Sequence, residues 1–179
     1  LIGHTPLVPS RQNPNIYLKL EGFNPTASIK DRAALAMVVA AEKEGTLRPG
    51  MTIIEPTSGN TGVSLAALAV QKGYRLILTM PASASIERRK LVKLLGGAII
   101  LTPAAAGMQG AIDKTQELLK KEPNSIWLDQ FSNPANPAVH KKTTAVELWR
   151  DLKGKIDIFI AGVGTGGTIT GCAEFFKSK

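Results

Sequence analysis

The chain has 179 residues, is 44% hydrophobic and carries a formal net charge of +8. That length allows one sizeable core, or one domain and part of another, and no apolar stretch is long enough to span a bilayer. Basic residues are interspersed with acids, and only Arg88-Arg89-Lys90 forms a dense run. With no zinc-finger spacing and few aromatics, the pattern argues against nucleic acid and leaves acidic small ligands.

The single cysteine, Cys172, excludes an internal disulfide and fits a reducing compartment, here read as the cytoplasm. It reads as a small buried residue. His4 and His140 share no metal-ligand spacing, so no metal site is expected. The chain opens at Leu1 without a methionine, so its natural N-terminus is expected to be missing, and organellar targeting stays open.

In chain order, residues 16–20 alternate like a short strand, and Asn24-Pro25 reads as a turn. Residues 33–41 are apolar helix formers that lead to a stop at Gly45. Ser28 and Asp31 have the spacing of a capping box just before that run, which puts Lys30 in the first helical turn. There the positive end of the helix dipole disfavours its charge. A lysine that loses its proton easily suits Schiff-base chemistry. Taken locally, the plainer reading is a solvated surface lysine.

A strand over 51–55, a polar loop over 56–62 and a helix over 63–71 closed by Gly73 follow. Then come a strand over 75–80, a helix over 85–95, a strand over 98–102, a helix over 107–121 and a short strand over 125–128. A loop over 129–137 holds two Asn-Pro pairs. The pattern then predicts a helix over 138–152, an apolar strand over 156–161, a glycine loop over 162–167 and a last helix over 168–176. Alternating strands and helices predict an α/β fold with parallel sheet, because parallel neighbours need crossover connections. Ligands in such folds bind at the carboxyl ends of strands. The last helix has no further strand to pack on, so the chain is expected to be a truncated piece of a longer protein.

Three loops at those ends are unusual in composition. Thr57-Ser58-Gly59-Asn60-Thr61-Gly62 crowds hydroxyls, an amide and backbone N–H groups at a helix N-terminus, a setting for a carboxylate or phosphate. A helix cap needs one such residue, not several. Gly162-Val163-Gly164-Thr165-Gly166-Gly167-Thr168 sits between a predicted strand and a helix, a setting for anion binding by backbone amides. It lacks the ending of a nucleotide triphosphate loop, and the acidic residue that a dinucleotide fingerprint calls for would lie past Lys179. Glycine for close helix packing is the other reading. The 129–137 loop by itself reads as a connector. A lysine with Schiff-base potential beside a phosphate cradle points to pyridoxal phosphate.

The chain also resembles the cysteine synthases (O-acetylserine sulfhydrylases), of the tryptophan-synthase-β-like, fold-type II pyridoxal-phosphate enzymes. The resemblance rests on Ile2-Gly3-His4-Thr5-Pro6-Leu7, Asn24-Pro25-Thr26-Ala27-Ser28-Ile29-Lys30-Asp31-Arg32, Glu55-Pro56-Thr57-Ser58-Gly59-Asn60-Thr61-Gly62, Ser85-Ile86-Glu87-Arg88-Arg89, Asp129-Gln130-Phe131 with Asn133-Pro134-Ala135-Asn136-Pro137, and Gly164-Thr165-Gly166-Gly167-Thr168. These appear in the family's order and cover nearly the whole chain. His4 stands where the family usually has asparagine, and residues 9–15 look shortened.

The resemblance implies two doubly wound parallel or mixed sheets with the cofactor cleft between the lobes, the second lobe being incomplete. Residues 1–20 and 135–179 would form the larger lobe, and 21–134 the smaller one. Lys30 would carry the cofactor as a Schiff base and later move the substrate α-proton. Asn60 would bind the ring hydroxyl, and Gly164, Thr165, Gly166, Gly167 and Thr168 the phosphate. Thr57, Ser58, Thr61 and Gln130 would bind the substrate carboxylate. The family's serine at the pyridine nitrogen lies outside this chain. Asp31 and Arg32 read as local structure, and Glu87, Arg88 and Arg89 as helix capping or a solvated face.

The implied reaction is β-replacement, making L-cysteine from O-acetylserine and sulfide. A homodimer is implied, and serine acetyltransferase as a partner by family analogy. Rival readings are cystathionine β-synthase-type condensation of serine with homocysteine, O-phosphoserine as donor, a catalytically silent binding module of the same fold, and a dinucleotide-binding domain.

Overall fold

The computed structural model describes residues 1–179. They form two compact units, 37–129 and a second made of 1–36 with 130–179.

The unit over 37–129 is built on one parallel sheet of β3 (Thr52–Pro56), β4 (Arg75–Pro81), β5 (Ala98–Thr102) and β6 (Ser125–Ile126), in the order β5-β4-β3-β6. The α/β expectation holds: each crossover carries a helix, namely α2 (Asn60–Lys72), α3 (Ile86–Leu94) and α4 (Gly107–Lys121). Ile54 pairs with Ile77, and Leu78 with Ile99. Strand β3 is buried along its length, as a central parallel strand covered on both faces must be. Ile53, Ile54, Leu65, Leu78 and Met80 form the core. A Cβ on Gly62 would come within 2.6 Å of Leu78 Cδ1, so glycine lets the first turn of α2 lie against β4. On α4, the Thr79 hydroxyl donates to the Ala111 carbonyl at 2.8 Å.

The second unit holds the antiparallel pair β1 (Leu7–Pro9) and β2 (Tyr17–Lys19), and the first half of α1 (Lys30–Lys43). It also holds a long helical rod and α7 (Gly167–Lys177). The rod runs without a break through α5 (Ala135–Val139), a π-helical turn (His140–Thr144) and α6 (Ala145–Asp151). Helix α7 lies against it through Gly167 and Gly171, one helical turn apart. A Cβ at Gly171 would collide with the Pro137 carbonyl oxygen. Trp149, Phe175, Phe176 and Phe159 close the far end with edge-to-face and tilted ring contacts.

One predicted element is corrected. Residues 156–161 form no strand, and Ile158 and Ile160 are 80% and 87% exposed. An apolar composition suits a buried strand, but a strand also needs a neighbour to take its backbone hydrogen bonds, and no strand here pairs with this segment. The helix expected over 138–152 starts three residues earlier, at Ala135, and contains the π-helical turn. No helix is long and apolar enough to cross a membrane.

Candidate active site

Lys30 opens α1, and its backbone N–H donates to Ser28 Oγ at 3.2 Å. The reciprocal arm of the expected capping box is different. The Asp31 carboxylate accepts from the Thr26 backbone N–H at 2.7 Å and from the Thr26 hydroxyl. It therefore closes the preceding turn, where Ala27 adopts a left-handed φ of 59°. The Lys30 side chain is half-buried, and its amine has no hydrogen-bond or ion-pair partner. Burial without a counter-ion pushes its pKa below the ordinary lysine value. The sequence suggested depression by the helix dipole; the structure adds desolvation.

Two residues on, Arg32 is 2% exposed and fully engaged. Its Nη1 and Nη2 donate to the Glu147 oxygens at 2.6 and 2.8 Å, and Nε and Nη2 donate to Glu21, both at 2.9 Å. Glu147 also pairs with Lys19 at 2.8 Å. Burial would raise the Glu147 pKa, but the Arg32 and Lys19 cations hold it down at about 2. This cluster anchors the turn that presents Lys30, in keeping with a structural reading of Arg32.

The glycine loop ends in Gly166, at a left-handed φ of 79°, and α7 begins at Gly167. The first turn of α7 contains no acidic residue that would repel an anion at its N-terminal amides. A Cβ at Gly162 or Gly164 would meet nothing within 4 Å, so the loop's outer face has room for a ligand. Thr165 Oγ1 accepts from Gly167 N at 3.3 Å and from Asn136 Nδ2 at 2.9 Å. The same Asn136 nitrogen donates to the Gln130 carbonyl at 2.9 Å.

Buried His140 sits between Thr144, 2.9 Å from Nδ1, and Thr168, 3.4 Å from Nε2. Burial, followed by the charges of Arg32 and Lys30, lowers its pKa to about 4, so its ring is neutral near pH 7. One histidine thus feels the Lys30 ammonium while touching the first turn of α7. A partnerless amine and an acid-free amide cradle are a donor set suited to an aldehyde bearing a phosphate, and in that respect these residues fit pyridoxal phosphate.

In the unit over 37–129, the loop after β3 carries Thr57, Ser58, Asn60 and Thr61. Gly59 is the N-cap of α2 and makes no side-chain cap. Thr57 Oγ1 instead accepts from Gly59 N at 3.2 Å. Thr57 and Thr61 are buried, Ser58 is half-buried and Asn60 is exposed. The N-cap position is a glycine, so no side chain caps α2 from that position.

Lys30, Gln130 and the 164–168 loop belong to one compact unit; Thr57, Ser58, Asn60 and Thr61 belong to the other. Sequence reasoning missed Asn136 and His140. The repeated Asn-Pro pairs were the available signal, since a buried asparagine among prolines needs partners to satisfy its amide.

The model of the pyridoxal-phosphate dependent enzyme family matches residues 1–179. Cysteine synthase A of Escherichia coli (strain K12) is 52% identical over 179 residues, covering 98% of this chain and 55% of that protein. Among solved structures, O-ureido-L-serine synthase superposes with a TM-score of 0.94 at 43% identity, covering 99% of this chain and 57% of that one. The cysteine synthase of Entamoeba histolytica gives a TM-score of 0.93 at 43% identity, covering 99% and 55%. The chain thus spans little more than half the length of the relatives it matches.

Proposed function

Because this chain belongs to the pyridoxal-phosphate dependent enzymes, we propose that it is the lysine-bearing part of a β-replacement enzyme making L-cysteine from O-acetylserine and sulfide. The observation that carries the reading is the half-buried Lys30 amine without a partner, its pKa pushed down by burial. Likeness to cysteine synthases supports the choice of reaction.

Bound pyridoxal phosphate supplies an electron sink for the charge left when a substrate α-proton departs. The backbone amides of Gly164, Thr165, Gly166, Gly167 and Thr168 and the hydroxyls of Thr165 and Thr168 would hold its phosphate, and the Lys30 amine would hold its aldehyde. Asn60 binds the ring hydroxyl. Thr57, Ser58, Thr61 and Gln130 receive the substrate carboxylate and orient the Cα–H bond. Lys30, as a free amine, would take the α-proton and later return it, and burial favours that uncharged form. Neutral His140 adds no competing cation near that amine. The reading extends to a homodimer in the cytoplasm that associates with serine acetyltransferase.

Borohydride reduction of the protein reconstituted with pyridoxal phosphate, followed by peptide mapping, tests the assignment. A pyridoxyl label on Lys30 is expected; a label elsewhere, or none, overturns it. Consumption of sulfide rather than homocysteine separates cysteine formation from cystathionine formation.

A further inference from the structure

Asn136 supports a further step, which rests on the reading of residues 164–168 as a phosphate cradle. Its side chain is buried, and its amide nitrogen donates to the Gln130 carbonyl and to Thr165 Oγ1, both at 2.9 Å. A carbonyl oxygen only accepts, so the amide must turn its nitrogen to Gln130, and its orientation is fixed. Thr165 Oγ1 receives a second N–H from Gly167 at 3.3 Å. A hydroxyl oxygen has two acceptor sites and one proton. Both acceptor sites of Thr165 are thereby filled from inside the protein, and no group of the chain takes its proton.

We propose that Asn136 is a positioning residue that commits the Thr165 hydroxyl to donate to the cofactor phosphate, and that ties this donor to the Gln130 segment. A hydroxyl free to rotate can offer either a lone pair or a proton. Two N–H groups aimed at the oxygen remove the first choice, so the donor is set before the anion arrives. Gly167 belongs to the same device. A Cβ there would collide with Asn136 Oδ1, so only glycine lets the start of α7 approach the amide this closely.

Asn136→Asp keeps the size of the side chain and removes both N–H donors, and the new carboxylate draws the Thr165 proton inward. In the reconstituted protein the affinity for pyridoxal phosphate is expected to fall about 10- to 100-fold. The affinity for pyridoxal, which lacks the phosphate, is expected to change less than about 3-fold. Thr165→Val is expected to give the same selective loss, and Asn136→Asp to add little in the Thr165→Val background. If Asn136→Asp does not fold, Asn136→Ala replaces it with the same expectation. Equal losses for both ligands, no loss, or independent losses in the double variant would overturn the proposal. A parent protein that binds pyridoxal as tightly as pyridoxal phosphate would overturn the phosphate-cradle reading and this proposal with it, a result distinguishable from the other three.

Discussion

Arg32 and Glu147, 115 residues apart in sequence, meet in a two-pronged pair at 2.6 and 2.8 Å, with Arg32 only two positions from Lys30. A planar guanidinium facing a carboxylate resists rotation as well as translation. The pair therefore fixes the orientation of the first turn of α1, and with it the direction from which the Lys30 amine emerges.

Breaking that pair leaves an uncompensated buried charge. Glu147→Gln is expected to destabilise the chain by about 3–5 kcal/mol in urea unfolding. The carboxyl is held at about 2 in the fold, below its ordinary value. Its contribution is therefore full above the ordinary carboxylate range and is lost as pH falls toward about 2. In Glu147→Gln that part of the acid dependence should disappear; an unchanged acid profile would show that the pair does not couple to folding.

His140 has the same sign for a different reason. Its folded pKa of about 4 lies below the ordinary histidine value near 6.5, so the unfolded chain binds the extra proton between them. Stability should be constant above about pH 6.5 and fall as pH drops toward 4. A histidine NMR titration checks the midpoint, and His140→Gln should flatten that stretch of the stability curve. A midpoint near 6.5 would refute the neutral-ring description.

Lys30 sits in a place that suits chemistry better than stability. Its ammonium is partly desolvated and has no partner, so Lys30→Met should stabilise the ligand-free chain by about 1 kcal/mol. Because its folded pKa is lowered, the parent should gain stability as pH rises from that pKa toward the ordinary lysine range, and Lys30→Met should not. Chemical denaturation at pH 7 and pH 10 measures both effects. A destabilised Lys30→Met would mean that the amine has a partner in solution.

The glycines of α7 and its loop should separate cleanly. At Gly171 an added methyl meets the Pro137 carbonyl, which is backbone and cannot turn aside, so Gly171→Ala should cost about 1–3 kcal/mol or more. At Gly162 an added methyl meets open space, so Gly162→Ala should change stability by less than about 0.5 kcal/mol. Thermal melts of the two variants suffice, and equal costs would contradict the packing described for α7.

Cys172 is completely buried, and burial pushes its thiol up to about 12. Alkylation at pH 8 should be slow in the native chain and fast in urea. Rapid native labelling would indicate that α7 opens locally.

Much of the fold was legible because its elements obey local rules. The limits of β5 and α4 agree residue for residue with the pattern, and Gly73 stops α2 in a left-handed conformation at φ 75°. The lysine turn and the glycine loop were legible because few structural demands place those residue types together. What could not be read depends on partners distant in sequence. Nothing near residues 156–161 tells whether a strand will find a neighbour. Nothing near Asn136 names Thr165, 29 positions away. The capping-box arm expected of Asp31 does not form because Thr26 competes for its carboxylate, although Asp31 still fixes local structure.

The wide turn at His140–Thr144 divides the rod. Upstream of it, Asn136 addresses the glycine loop; downstream, Glu147 addresses Arg32. A π-helical turn takes up one residue more than an α-helical turn over nearly the same rotation, so deleting a single residue there would restore ordinary helical pitch and leave Glu147 nearly in phase with Asn136. A deletion in the α-helical parts of the rod would instead swing everything beyond by about 100°. The two halves of the rod could then no longer serve both neighbours at once.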